Sequence, residues 1–166
     1  MPALLSQGVF ISYRREDTGP YARLLKEHLS GWFPGAPVFM DLDSIEVGVD
    51  FAEAIEAAVH SCAVLVALIG RKWLTVADED GHRRIEDPDD YVRFEIRTAL
   101  ERGIRVIPVL VDGAGPPRQQ QLPPDLHRLA RLNALEMSYG RFEYDETRLA
   151  AAIRKVLAPR PASLEA

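Results

Sequence analysis

Two arginines stand side by side at Arg14 and Arg15, directly after a short apolar run. Planar guanidinium forks suit paired hydrogen bonds to a phosphate, so the pair is a candidate phosphate contact. The alternative is a solvated pair bridging to Glu16, Asp17 or the acids near residue 43. A second candidate is Tyr91 with Glu95, four residues apart and therefore neighbours on one helix face. A carboxylate and an aromatic ring presented together could bind a cationic ring or a ribose. They could equally be a surface tyrosine and a glutamate paired with Arg97 or Arg102. A third group is Asp41, Asp43, Glu46 and Asp50 around Gly48. Its spacing is not that of a calcium loop, so it reads as a solvated turn with helix-capping carboxylates, and no metal site is expected. The stretch Asp78 to Asp90, acidic and mixed with His82, Arg83 and Arg84, reads as a long, mobile surface insertion; loops of that length often serve as lids. The single cysteine, Cys62, lies in an apolar run and reads as a small buried hydrophobe.

The elements that must position these groups follow from periodicity. Gly8 to Tyr13 and Pro37 to Asp41 read as short strands. Ala63 to Gly70 is a continuous apolar run, as a strand covered on both faces requires. Arg105 to Val111 is a fourth strand, and a weak fifth lies near Asn133 to Met137. Tyr21, Leu24, Leu25, His28, Leu29 and Trp32 recur at helical spacing behind a start signal of Thr18 and Pro20. Asp50 with Glu53 resembles a capping box opening a helix with Phe51, Ile55 and Val59 inside. Val92, Ile96, Ala99 and Leu100 mark a third helix closed by Gly103, and Leu149 to Leu157 a last one. A loop from Asp112 to Pro124 and a short helix precede the fifth strand.

Alternating strands and helices predict an α/β, flavodoxin-like three-layer fold: a five-stranded parallel sheet with helices on both faces. Ligands in such folds bind beyond the carboxyl ends of the strands. Tyr13 to Asp17, Asp41 to Gly48, Arg71 to Trp73 and the segment from Asp112 are therefore the informative loops. Tyr13 and Trp73 are their aromatic candidates for substrate contact.

Composition sets limits on function. The chain has 166 residues, 47% of them hydrophobic and 27% charged, which fits one folded domain, expected over residues 1–158 with a tail or linker at 159–166. A formal net charge of −5 argues against a nucleic-acid surface. No apolar run is long enough to span a membrane, and the start lacks the pattern of a signal peptide, so a cytoplasmic location is expected. No phosphate-binding glycine motif of the dinucleotide or P-loop kind occurs. A phospho-receiver should carry an acceptor aspartate after the third strand, where Gly70-Arg71-Lys72 stands instead.

Taken together, the segment Val9-Phe-Ile-Ser-Tyr-Arg-Arg15, the segment Val38-Phe-Met-Asp-Leu-Asp-Ser-Ile-Glu-Val-Gly48, and Tyr91 to Leu100 followed by Gly103-Ile-Arg-Val-Ile-Pro-Val109 resemble the Toll/interleukin receptor (TIR) domain family. The resemblance runs from about Gly8 to Leu157 and is to bacterial members and the animal members that degrade NAD. It implies an NAD nucleosidase releasing nicotinamide and ADP-ribose or a cyclic isomer, in bacterial defence signalling, with NAD as substrate and no cofactor. The family's essential glutamate matches Glu95, and its aromatic neighbour, usually tryptophan, is Tyr91. The family's arginines match Arg14 and Arg15, and its loop contacts match Ile45, Glu46 and Phe51. The resemblance also implies head-to-tail self-association through the 41–51 loop, and other TIR domains as partners. A non-catalytic assembly module is the alternative, and a nucleoside-processing transferase of similar fold a third reading.

Overall fold

The computed structural model describes residues 8–40 and 45–157. The last residue of the second expected strand, Asp41, with Asp43 of the expected acidic turn, and the expected tail at 159–166 lie outside the described residues.

The chain runs β1 (Gly8–Ser12), α1 (Arg15–Trp32), β2 (Val38–Phe39), α2 (Phe51–His60), β3 (Cys62–Ile69), α3 (Tyr91–Glu101), β4 (Arg105–Val111), β5 (Leu135–Met137) and α4 (Phe142–Leu157). The five strands form one sheet in the order β2-β1-β3-β4-β5, and every pairing is parallel. That is the flavodoxin-like order. The chain reverses direction across the sheet between β1 and β3, which opens a crevice beyond their carboxyl ends.

Side-chain alternation along the strands divides the core in two. Phe10, Leu65, Ala67 and Ile69 point to one face, where they meet Ile55 and Val59 of α2 and Ile96 and Ala99 of α3. Val9, Ile11, Val64, Val66 and Leu68 point to the other, against Leu25 and Leu29 of α1 and Leu149 and Ile153 of α4. Burial on both faces explains why β3 reads as an unbroken apolar run. Each fully buried aliphatic side chain contributes about 1.5–3 kcal/mol.

The helical run of α1 opens one turn early, at Arg15, and breaks at Thr18 (φ −130°, ψ 26°), so Thr18 and Pro20 mark the start of its main segment, as expected. Proline is tolerated there because the N–H groups of the first turn after the break have no helical partner. The expected short helix before β5 is present as a 3-10 helix, Pro124–Arg131. One expectation is corrected. The acidic stretch 78–90 is anchored: Ala77 bridges Arg83, a 3-10 turn spans Arg84–Glu86, and Ile85 is fully buried. A surface insertion would have no such core residue.

Candidate active-site cleft

The carboxyl end of β1 supplies the first group. Ser12 closes the strand, is buried, and donates from Oγ to Glu95 Oε1 at 2.8 Å. Glu95 lies one turn beyond Tyr91 on α3 and is 7% exposed. Arg97 and Arg102, the alternative partners for Glu95, pair instead with Asp125 and Glu56. A buried carboxylate needs donors to offset its desolvation, and Ser12 is one.

Arg14 is held differently from an open phosphate contact. It is 3% exposed, and its Nη1 and Nη2 donate to the two oxygens of Asp90 at 3.0 and 2.8 Å. Its Nε donates to the carbonyl of Trp73 at 3.0 Å, with the guanidinium 5.6 Å from that residue's ring centroid. This burial removes the solvated-pair reading for Arg14. Asp90 is also the N-cap of α3, its Oδ2 accepting from the Arg93 N–H at 3.0 Å. Arg15 is exposed at the start of α1.

Around these groups lies a cleft of about 460 Å³, within the range of small-molecule sites. Tyr13, Arg14, Arg15, Tyr91 and Glu95 line it together with Arg84 and several acids. Across its lining, six carboxylates (Glu16, Asp78, Asp87, Asp89, Asp90, Glu95) outnumber three guanidiniums (Arg14, Arg15, Arg84). Arg14 is engaged by Asp90, and Arg84 pairs with Glu16 at 3.0 Å. The balance left over is negative, which favours a positively charged ring over a free anion. Backbone hydrogen bonding and Arg84 hold the Glu16 carboxyl below its usual range, so it stays ionised.

The remaining expected residues fall elsewhere. Trp73 is 1% exposed and belongs to the core under Arg14, so its ring does not line the cleft. Ile45 and Glu46 do not line it either. Phe51 stands one ring away, stacked on Tyr91 at 4.7 Å between centroids. Tyr91 itself is 49% exposed. Sequence reasoning did not find Ser12, Asp90 or Arg84; a serine ending an apolar strand beside a crevice was the one local signal for Ser12.

Asp17, in the first turn of α1, ties that helix to the segment after β3. Its carboxylate accepts from the backbone N–H groups of Gly70 and Lys72 at 2.8 and 2.9 Å. A Cβ at Gly70 would lie 2.4 Å from that carboxylate, which is why glycine stands there. Among the described residues, Asp78, Asp80 and His82 could bring ligand atoms within 4.8 Å of one another, all on the surface. Asp78 Oδ1 already accepts from the Asp80 and His82 N–H groups at 2.9 Å, so the cluster is a hydrogen-bonded turn. No helix among the described residues is long and apolar enough to cross a membrane.

Comparison with known proteins shows the family. The Drosophila melanogaster protein "NAD(+) hydrolase sarm1" is 31% identical over 129 residues, covering 76% of this chain and 9% of that protein. The Danio rerio protein "NAD(+) hydrolase SARM1" is 32% identical over 149 residues, covering 90% of this chain and 19% of that protein. The chain therefore spans less than a fifth of either relative. Among solved structures, the TIR domains of the activated Roq1 resistosome superpose with a TM-score of 0.61 at 16% identity, covering 90% of this chain and 98% of theirs. A prokaryotic SEFIR domain superposes at 0.51 with 20% identity, covering 94% and 98%. At those identities the superpositions speak for the fold. The family model described as "TIR domain" matches residues 9–153, from the first residues of β1 to the last turns of α4. With sheet order, relatives and family match in agreement, the chain belongs to the TIR-domain family.

Proposed function

We propose that this domain is an NAD nucleosidase, cleaving the bond between nicotinamide and ribose. One observation carries the reading. A buried glutamate, Glu95, is held by Ser12 at the carboxyl end of β1, in an acidic cleft rimmed by an aromatic ring. The named activity of the two animal relatives supports the same chemistry.

The leaving group is a pyridinium. As the C1′–N bond breaks, its electron pair returns to the ring nitrogen, and nicotinamide departs neutral without a proton donor. Positive charge develops at C1′ and the ring oxygen, as in glycoside cleavage. Glu95 stabilises that charge and accepts from the ribose hydroxyls. Tyr91 stacks on the departing ring, and Tyr13 and Arg15 contact the rest of the dinucleotide. Water then adds to C1′ and loses a proton to solvent, giving ADP-ribose. Attack by an adenine ring nitrogen gives a cyclic isomer instead. The setting we infer is cytoplasmic signalling in bacterial defence.

The test incubates concentrated protein with NAD and identifies products by mass spectrometry, for the parent and for Glu95→Gln. Removing a group matched to transition-state charge should cost about 100-fold or more in turnover. A parent that leaves NAD intact at every concentration overturns the reading, and so does a Glu95→Gln protein with parental turnover. A second role, assembly, is favoured by Val47 and Val49 on the loop before α2, which are 104% and 45% exposed. In that role Ile45, Glu46 and Phe51 serve the contact between domains, and Phe51 relays it to Tyr91.

A further inference from the structure

We infer that Arg14 is a positioning residue, fixing Glu95 through Asp90, and that it makes no phosphate contact. The inference rests on Glu95 being the catalytic carboxylate proposed above.

Burial and pairing decide it. Three of the five N–H groups of Arg14, from Nε and both terminal nitrogens, meet acceptors at 2.8–3.0 Å. Side-chain exposure of the pair is 2% for Arg14 and 8% for Asp90. Swinging the guanidinium out to a diphosphate would leave Asp90 buried without its counter-charge and the Trp73 carbonyl without its donor. Breaking a buried pair from one side is strongly unfavourable. Arg15, the next residue, is exposed and lines the same cleft. The phosphate role therefore falls to Arg15.

Asp90 makes the clamp directional. One carboxylate binds Arg14 and, through Oδ2, also caps the Arg93 N–H in the first turn of α3. The end of β1, the segment after β3 and the start of α3 thus meet at one node. Five residues along α3, Glu95 meets Ser12, which stands two residues before Arg14. The helix is attached to the strand end at two points, so its rotation and height are both set. Ser12 selects the position of the Glu95 carboxylate; the clamp keeps the helix that carries it from shifting.

The experiment compares parent, Arg14→Lys, Asp90→Asn and the double variant. Lysine keeps the charge and loses the fork. Asparagine remains a good helix cap and loses the charge, so Asp90→Asn separates clamping from capping. Misplacement of a catalytic group by about 1 Å can cost about 100-fold. Each single variant should therefore lower kcat for NAD by about that factor with KM unchanged, and the double should be no worse than either. A raised KM with parental kcat in Arg14→Lys would make it a phosphate contact, and parental kcat and KM in either single variant would overturn the clamp. Amide hydrogen exchange reads the same device without turnover. In Arg14→Lys and Asp90→Asn, exchange should quicken across Tyr91–Glu95 while the β3 and β4 amides keep parental rates. If the parent does not cleave NAD, the function proposed above fails and exchange alone decides the clamp. Parental exchange across Tyr91–Glu95 in both variants overturns it.

Discussion

Ser12 is the smallest part of the site and the most direct test of its geometry. Its hydroxyl donates to Glu95 Oε1 at 2.8 Å in a buried setting, and alanine would remove that donor without adding volume. A hydrogen bond to a charged group is worth about 1.5–3 kcal/mol. Ser12→Ala should therefore lower kcat by roughly 10-fold or more, and should lower the melting temperature by several degrees because the buried carboxylate loses a donor. Unchanged kcat would mean that the hydroxyl does not set the carboxylate's position. Cys62 offers a test of stability against pH. Burial pushes its thiol up to about 12, and the S–H donates to the Ala58 carbonyl at 3.3 Å. The unfolded thiol loses its proton near pH 9, so between those values the folded state binds the extra proton. Stability from this group is full below pH 9 and declines as pH rises, by at most about 1.4 kcal/mol per unit. Tyr21, raised by burial and by its hydrogen bond to Asp112, acts in the same direction at higher pH. Urea unfolding from pH 8 upward should show a steeper decline for the parent than for Cys62→Ala, and parallel curves would remove Cys62 as the cause.

At the scale of elements, the segment between β3 and α3 carries the clearest consequence. Ile85 sits fully buried in a 3-10 turn flanked by charged residues, packed with the α2–α3 side of the core. Ile85→Ala should destabilise the domain by about 2–5 kcal/mol in urea unfolding, as for a core aliphatic. A loss below about 0.5 kcal/mol would return the segment to the status of a surface insertion. The same segment shows where sequence reading runs out. β4 was legible to the residue and β3 to within one, because continuous apolar runs have a single explanation in a parallel sheet. Thr18 and Pro20 were legible as the start of the main segment of α1, whereas the extra turn from Arg15 before the break at Thr18 was not, because its polar residues form no apolar period. Ile85 has no apolar neighbours in sequence to form a period. In the cleft, Tyr91 and Glu95 were legible as neighbours four apart. The contacts Ser12–Glu95 and Arg14–Asp90 join residues 83 and 76 apart, and only the sheet order brings them together. Trp73 misled for a related reason. It follows β3 at the crevice end, but its ring is buried in the core with the Arg14 guanidinium above it.

For the whole molecule, the question is whether one chain holds a complete site. The described part of the loop before α2 places Val47 and Val49 in solvent. Single exposed valines need no explanation, but two on one short polar loop make a small apolar knob. Phe51 opens the helix that follows and stacks on Tyr91, so force on the loop has a short path to the cleft rim. A second copy seated on this loop would press that aromatic pair and screen the negative cleft from water. Contacts between unlike faces continue from copy to copy unless the rotation closes, so such an assembly grows with concentration. Turnover of NAD per domain should therefore rise across a dilution series, in step with light scattering. Val47→Asp should flatten the rise by placing a charge in the contact, and should leave the melting temperature at the parental value because Val47 touches no core. Turnover per domain that stays constant while the protein remains monomeric would mean that Ser12, Tyr91 and Glu95 of one chain suffice, and that the loop serves some other contact.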